Sequence, residues 1–263
     1  MSTALRSPIA ITFFVWRAIF LREALDRLFR ERAAWFWLLI EPVLHIAFLA
    51  ILWTVIRLRT MGGIDVVVWL SVGLLSFFFF RRTAMQTMYG VDCSRPLFVY
   101  RQVKPIDPTV VRAALEGFLM VLVSAIVLVG LALLGHMVWR PDDPLMIFVA
   151  TFGLWLFGLG FGLITSVLIM LVQELEHIFK IVMLPLYLIS GVIWPLASIP
   201  PKYRELLLIN PVAHGLEAVR LGFSHAYHAV PELSLPYLYG AAVVFIFVGL
   251  LLHRAYALRL VMQ

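Results

Sequence analysis

Six stretches of roughly twenty mostly apolar residues recur along this chain, at 35–56, 66–89, 110–136, 145–172, 178–196 and 236–258. As a helix, each is long enough to cross a bilayer core about 30 Å thick. No water reaches that core to satisfy a bare backbone, so such runs fold there as helices. The expected fold is all-α and integral to a membrane, with six transmembrane helices in a single transmembrane domain over 1–263. Hydrophobic residues make up 63% of the 263 and charged residues 14%, more apolar side chain than a globular interior hides. The spans use most of the length, leaving no soluble catalytic domain. Trp35, Trp37, Trp69, Trp139 and Tyr256 sit near span ends, where an interfacial aromatic belt is expected.

Six spans put both termini on one side, and the basic residues say which. Fifteen of the 21 Lys and Arg fall before the first span, between Arg81 and Arg112, at Lys180, or at Arg254 and Arg259. The positive-inside rule makes that side, and both termini, cytoplasmic. The net charge of +6 is spread over span ends without a single basic patch, so nucleic acid is not expected as a partner. Cys93 is the only cysteine and cannot form an internal disulfide. The first apolar run, 9–15, is short and precedes Arg17 without a small-residue cleavage site, so a retained N-terminus is expected.

Two segments outside the spans carry pattern. From 14 to 29 apolar residues recur at Phe14, Ala18, Leu21, Leu25 and Leu28, while Glu23, Asp26, Arg27 and Arg30 share the opposite face. This predicts an amphipathic helix, within 1–34, lying in the membrane interface. The segment 194–235 holds Pro195, Pro200, Pro201, Pro211 and Pro231 and is too polar and broken to cross lipid. It predicts two short re-entrant helices on the external side. One is opened by Ser198 and the paired prolines and runs through Leu208, and the other runs from 212 to 223 after Asn210 and Pro211.

Little in the sequence points to catalysis. Gly158, Gly160 and Gly162 lack the Lys-Ser or Lys-Thr of a phosphate-binding loop and read as close helix packing. No nucleophile elbow or carboxylate pair is present, and Glu41 with His45, four apart on one face of the first span, lacks a third metal ligand. Catalytic residues and a metal site are therefore not expected. Buried ionisable residues at membrane depth face protein or a cavity, which makes Glu41 and His45 candidates for a gate. Aromatic residues within and beside the spans, Trp155, Tyr187 and Trp194 among them, read mainly as packing. A subset is suited to lining a channel in which sugar rings stack on flat faces. Between the second and third spans, 89–108 carries more apolar residues than a tether needs. Pro96 opens a short helix whose Leu97 and Phe98 would enter a partner's groove while its arginines meet an acidic rim.

Together these features resemble the permease subunit of a type-2 ABC exporter, over the whole chain. The most telling stretch is Ser190 to Arg204 with its prolines, followed by Asn210-Pro211, Glu217 and Arg220. Compact length, the opening Arg-Ser-Pro and Glu41-Pro42 make the capsular polysaccharide export permeases of Gram-negative bacteria the nearest likeness, with O-antigen and teichoic-acid-type glycan exporters as the alternative. The resemblance implies a homodimer in the bacterial inner membrane with two copies of a cytoplasmic ATPase, which would hold the ATP and Mg, this chain holding no cofactor. The cargo would be a lipid-linked acidic polysaccharide, handed on to periplasmic and outer-membrane export proteins. Asp92, Ser94, Arg95, Leu97, Phe98 and Arg101 would couple to the ATPase. Glu41, His45, Trp155, Tyr187, Trp194 and Arg220 would line or gate the channel, and Arg27, Arg30 and Arg32 would guide the lipid phosphate inward. A secondary transporter and a membrane transferase are the competing classes. The two halves of the chain differ, unlike those of a repeat-built transporter, and no carboxylate or histidine cluster suits a transferase.

Overall fold

The computed structural model describes residues 8–27, 34–55, 60–136 and 141–262. In chain order it comprises α1 (Pro8–Leu25), α2 (Ala34–Val55), the short hairpin β1 (Thr60–Met61) and β2 (Ile64–Asp65), and α3 (Val66–Met88). A 3-10 helix (Asp92–Val99) leads to α4 (Ile106–Leu133) and α5 (Pro144–Leu171). Next come α6 (Leu175–Ile189), a 3-10 turn (Leu196–Ser198), α7 (Pro201–Leu207), α8 (Pro211–Phe223), α9 (Leu235–Ala255) and α10 (Ala257–Met262). Among the described helices, α2, α3, α4, α5 and α9 are long and apolar enough to cross a membrane.

Helix starts are written locally. Asp65 Oδ1 accepts from the Val67 and Val68 amides at 2.9 and 3.2 Å and opens α3. Asp143 caps Met146 at 2.9 Å ahead of Pro144, and Asn210 caps Val212 at 3.0 Å ahead of Pro211. The last two couple an acceptor side chain at the cap to a proline pre-set for the first turn. The expected re-entrant helices are both present, as α7 behind its 3-10 turn and as α8.

Helix α3 is apolar nearly all round from Val66 to Phe80, ahead of Arg81 and Arg82, and is enclosed by α2, α4, α5 and α8. Phe80 stacks on Phe157 of α5 at 5.3 Å. The three glycines of α5 make the approach possible on two sides. A Cβ on Gly158 would come within 2.8 Å of the Phe80 carbonyl oxygen, and one on Gly162 would meet Thr87. On the other face, a Cβ on Gly160 would lie 2.8 Å from the Ile246 amide of α9. Close packing through small residues is thus the role these glycines hold.

The fifth expected span departs from its sequence reading. Helix α6 has 15 residues and ends at Ile189, about 22 Å of helix against a core of about 30 Å. Ser190 closes it, Gly191 turns the chain at φ +75°, and Asn210 donates to the Ser190 hydroxyl at 2.7 Å. The Gly191 and Val192 carbonyls, which a continuing helix would have used, instead accept from Arg220 of α8 at 2.7 and 3.2 Å. Arg220 is fully buried, lies 3.7 Å above the Trp69 ring, and pairs with Glu217 at 3.5 Å. Glu217 in turn accepts from Tyr227 at 2.8 Å and from the Val230 amide at 3.3 Å.

Helix α1 also differs from expectation. Trp16 donates to Asp107 at 2.9 Å, Glu23 pairs with Arg112 at 2.5 Å, and Arg27 pairs with Glu116 at 2.9 Å. These contacts advance together along both helices, so α1 runs alongside the first turns of α4 in the same direction. Its polar residues Glu23 and Arg27 face protein, while Phe13, Leu21 and Leu25 are exposed. The face carrying Glu23 and Arg27, expected opposite the apolar face of an interfacial helix, is the packing face, because α4 offers it complementary charge. Arg27 also donates to Gln86 at 3.0 Å, and Arg82 approaches Glu116 at 3.8 Å, which ties α3 into the same cluster.

Two outcomes test these contacts. Arg220→Met leaves Glu217 as a buried unpaired charge, which costs about 3–5 kcal/mol, so the unfolding temperature of the detergent-purified chain should fall. Adding Glu217→Gln should recover part of the loss, and an unchanged single variant would contradict the lock. Glu116→Leu leaves Arg27 and Arg82 without their shared anion. Amide exchange over 16–27 should then speed up, and unaltered protection there would mean that α1 is held by something else.

Candidate functional site

Helices α2, α3 and α6 converge on a half-open cavity of about 260 Å³. Its lining combines aromatic rings with cations: Phe77, Phe78 and Tyr187 against Arg81 and Lys180, with His45 between. His45 Nε2 and the Tyr187 hydroxyl are 3.0 Å apart, and the His45 and Phe77 rings each lie against Tyr187. One turn earlier on α2, Glu41 pairs with Arg81 at 3.6 Å and Arg82 at 3.2 Å. Arg81 therefore links the cavity wall to the charged cluster that continues through Arg82 and Glu116 to Arg27. An anionic group with apolar or ring-like faces suits this lining, since guanidinium and ammonium donors meet the charge and flat rings meet the rest.

Of the six candidate channel residues, the structure brings Glu41, His45 and Tyr187 together. Trp155 lies elsewhere, donating to the Ala113 carbonyl at 2.8 Å and closing against Gly117, where it joins α5 to α4. Trp194 is exposed and meets Trp53 at 5.0 Å at the opposite end of α2. Arg220 is sealed in the α8 lock. Phe77 and Phe78 belong to the span aromatics from which a channel-lining subset is expected, whereas Arg81 and Lys180 are not expected there. A signal for the two cations is present in the sequence, because Arg81 follows the Phe77 to Phe80 run and Lys180 lies about two turns before Tyr187.

The loop candidates divide by exposure. In the 3-10 helix Ser94 and Phe98 are buried, and Phe98 packs with Val91, Val167, Met170 and Leu260. Phe98 is thus an anchor and is not presented to a partner's groove. Asp92 pairs with Arg95 at 2.9 Å, and Arg95 reaches the Met170 sulfur at 3.7 Å. Leu97 is half-buried, while Val99, Tyr100 and Arg101 are exposed, Val99 by 84%. Beside them opens a polar cavity of about 480 Å³ bounded by Asp92, Arg95, Glu174, Glu176 and His177. Glu176 lies 2.5 Å from Lys180 and accepts from Tyr89 at 2.9 Å. Of the three arginines assigned to the lipid phosphate, Arg27 is engaged by Glu116, Glu23 and Gln86, and Arg30 and Arg32 lie outside the described residues.

Comparison with known proteins matches residues 15–223 to the family described as ABC-2 type transporter. The chain is 32% identical over 249 residues to the polysialic acid transport protein KpsM of Escherichia coli, covering 95% of this chain and 96% of that one. It is 24% identical over 223 residues to the capsule polysaccharide export inner-membrane protein BexB of Haemophilus influenzae, with 84% and 83% covered. It is likewise 24% identical over 224 residues to the capsule polysaccharide export inner-membrane protein CtrC of Neisseria meningitidis serogroup B, with 84% and 83% covered. The all-α membrane fold, the two short helices ahead of α9 and the matched span together place the chain in the ABC-2 type transporter family.

Proposed function

We propose that this chain is the membrane-spanning subunit of an ATP-driven exporter that moves a lipid-linked acidic polysaccharide of the capsular kind across the bacterial inner membrane. Two copies would assemble with two copies of a separate cytoplasmic ABC ATPase, which binds ATP and Mg, and would pass the glycan to periplasmic and outer-membrane export proteins. The observation that carries the proposal is the likeness, over nearly the whole of both chains, to a relative named for polysialic acid transport. The cavity between α2, α3 and α6 supports it, since Arg81 and Lys180 suit the acid groups of such a polymer and its sugar rings suit Phe77, Phe78 and Tyr187.

Both termini would be cytoplasmic, with the 3-10 helix Asp92–Val99 facing the ATPase. Val99 and Tyr100 form the touching surface, and Asp92, Glu174 and Glu176 give it an acidic flank. Phe98 converts contact into movement, because it seats the loop against the C-terminal end of α5 and against α10. Closure of the ATPase pair would press on Tyr100 and tilt α5, opening the two ends of the path in turn. The sugar polymer slides because stacking on flat rings has no single deep minimum.

Purifying the chain from its native membrane in mild detergent should bring a stoichiometric cytoplasmic ATPase with it. Recovery of the chain alone under several gentle conditions would favour a secondary transporter or a transferase. Val99→Asp with Tyr100→Ala should lower export at least tenfold while the chain stays monodisperse. Unchanged export would sink the coupling assignment. Arg81→Ala with Lys180→Ala should reduce export of an acidic glycan more than that of a neutral one, and equal loss for both would remove charge recognition from this cavity.

A further inference from the structure

A second groove lies apart from the aromatic cavity, between α1 and the segment that follows the 3-10 helix. It encloses about 420 Å³. Val15, Ile19, Leu97 and Val103 make its apolar surface, and Arg22 and Arg101 stand at it from opposite elements. Arg101 is exposed and enters no ion pair among the described residues. Arg22 has only a long contact with Asp26, at 3.8 Å and exposed on both sides. Two guanidinium groups beside an apolar trough are an arrangement that neither water nor hydrocarbon alone satisfies.

The surroundings say what fills it. Phe13, Trp16 and Leu21 on the same helix are exposed, and apolar side chains of that size beside a membrane span belong in hydrocarbon and headgroup. On α1 the groove residues Val15, Ala18, Ile19 and Arg22 alternate with these exposed apolar residues, so the groove adjoins a helix face suited to the bilayer boundary. We infer that it is a binding site for one anionic phospholipid, whose phosphate lies between Arg22 and Arg101 and whose acyl chain follows the apolar floor. Guanidinium groups bind phosphate through paired charge-assisted hydrogen bonds, and basic pockets at such depth take acidic headgroups. A bound lipid would bridge α1 to the loop segment 97–103 where protein contacts between the two leave open space.

The test uses the full chain in nanodiscs of phosphatidylcholine containing increasing phosphatidylglycerol, with retained lipid counted by native mass spectrometry. The wild-type chain should keep one phosphatidylglycerol, keep no phosphatidylcholine, and not release the lipid to millimolar inorganic phosphate. Arg22→Ala with Arg101→Ala should lower retention at least tenfold. Ala18→Phe, which fills the groove and leaves both charges, should do the same. Equal retention of neutral and acidic lipid would overturn the inference, as would displacement by phosphate alone or wild-type retention in the arginine pair. Loss in the arginine pair with full retention in Ala18→Phe would assign the effect to diffuse surface charge and overturn it equally. The readout needs neither ATPase nor glycan, so it stands apart from the outcome for export.

Discussion

A helix broken at membrane depth leaves carbonyl oxygens with no water to turn to, and the architecture follows from how this chain answers that need. Helix α6 stops after 15 residues, and Arg220 supplies the missing donors to Gly191 and Val192. Satisfying them with a cation creates a second demand, since the guanidinium must be neutralised and covered. Glu217 one turn back supplies the charge and the Trp69 ring supplies the cover. Glu217 is then fixed by Tyr227 and Val230, which draws the segment after α8 against the bundle. One break thus dictates the position of α8, of its following turn and of the wide ring at the start of α3.

The charged cluster at the other end obeys the same rule with more partners. Glu116 is fully buried in α4 and is approached by Arg27 of α1 and Arg82 of α3. Glu41 answers Arg82 and Arg81 in turn, at the rim of the aromatic cavity. Charges in low dielectric hold their position only in such mutual company. The cluster therefore sets how α1, α2, α3 and α4 sit together and presents Arg81 to the cavity.

Much of this was legible in residues whose effect is local. Asp65, Asp143 with Pro144, and Asn210 with Pro211 announce helix starts within a few positions, and the structure places the helices there. The glycines of α5 were legible because small residues at 158 and 162 fall on one face. The end of α6 was missed although Ser190-Gly191 is a helix-ending pair, because the apolar run continues past it to Trp194 and hydropathy outweighed the turn. The inward face of α1 was misjudged because a polar stripe beside water and one beside a charged helix look alike until the neighbour is known. The same limit hid the anchoring part of Phe98 and the convergence of Arg81 and Lys180 on one cavity, which depend on side chains far apart in sequence.

The glycines of α5 have a mechanical consequence. With α3 pressed to one side of α5 and α9 to the other, so close at Gly158 and Gly160 that a Cβ would meet backbone atoms, the three helices meet along glycine faces interlocked by the Phe80, Phe157 and Phe245 rings. Around them, α1 and α2 are held largely through polar and charged tips, Trp16 with Asp107, Glu23 with Arg112, and Glu41 with Arg81 and Arg82. The half-open cavity lies where these two kinds of contact meet, with Phe77 and Phe78 of the close-packed α3 on one side and His45 of α2 and Tyr187 of α6 on the other.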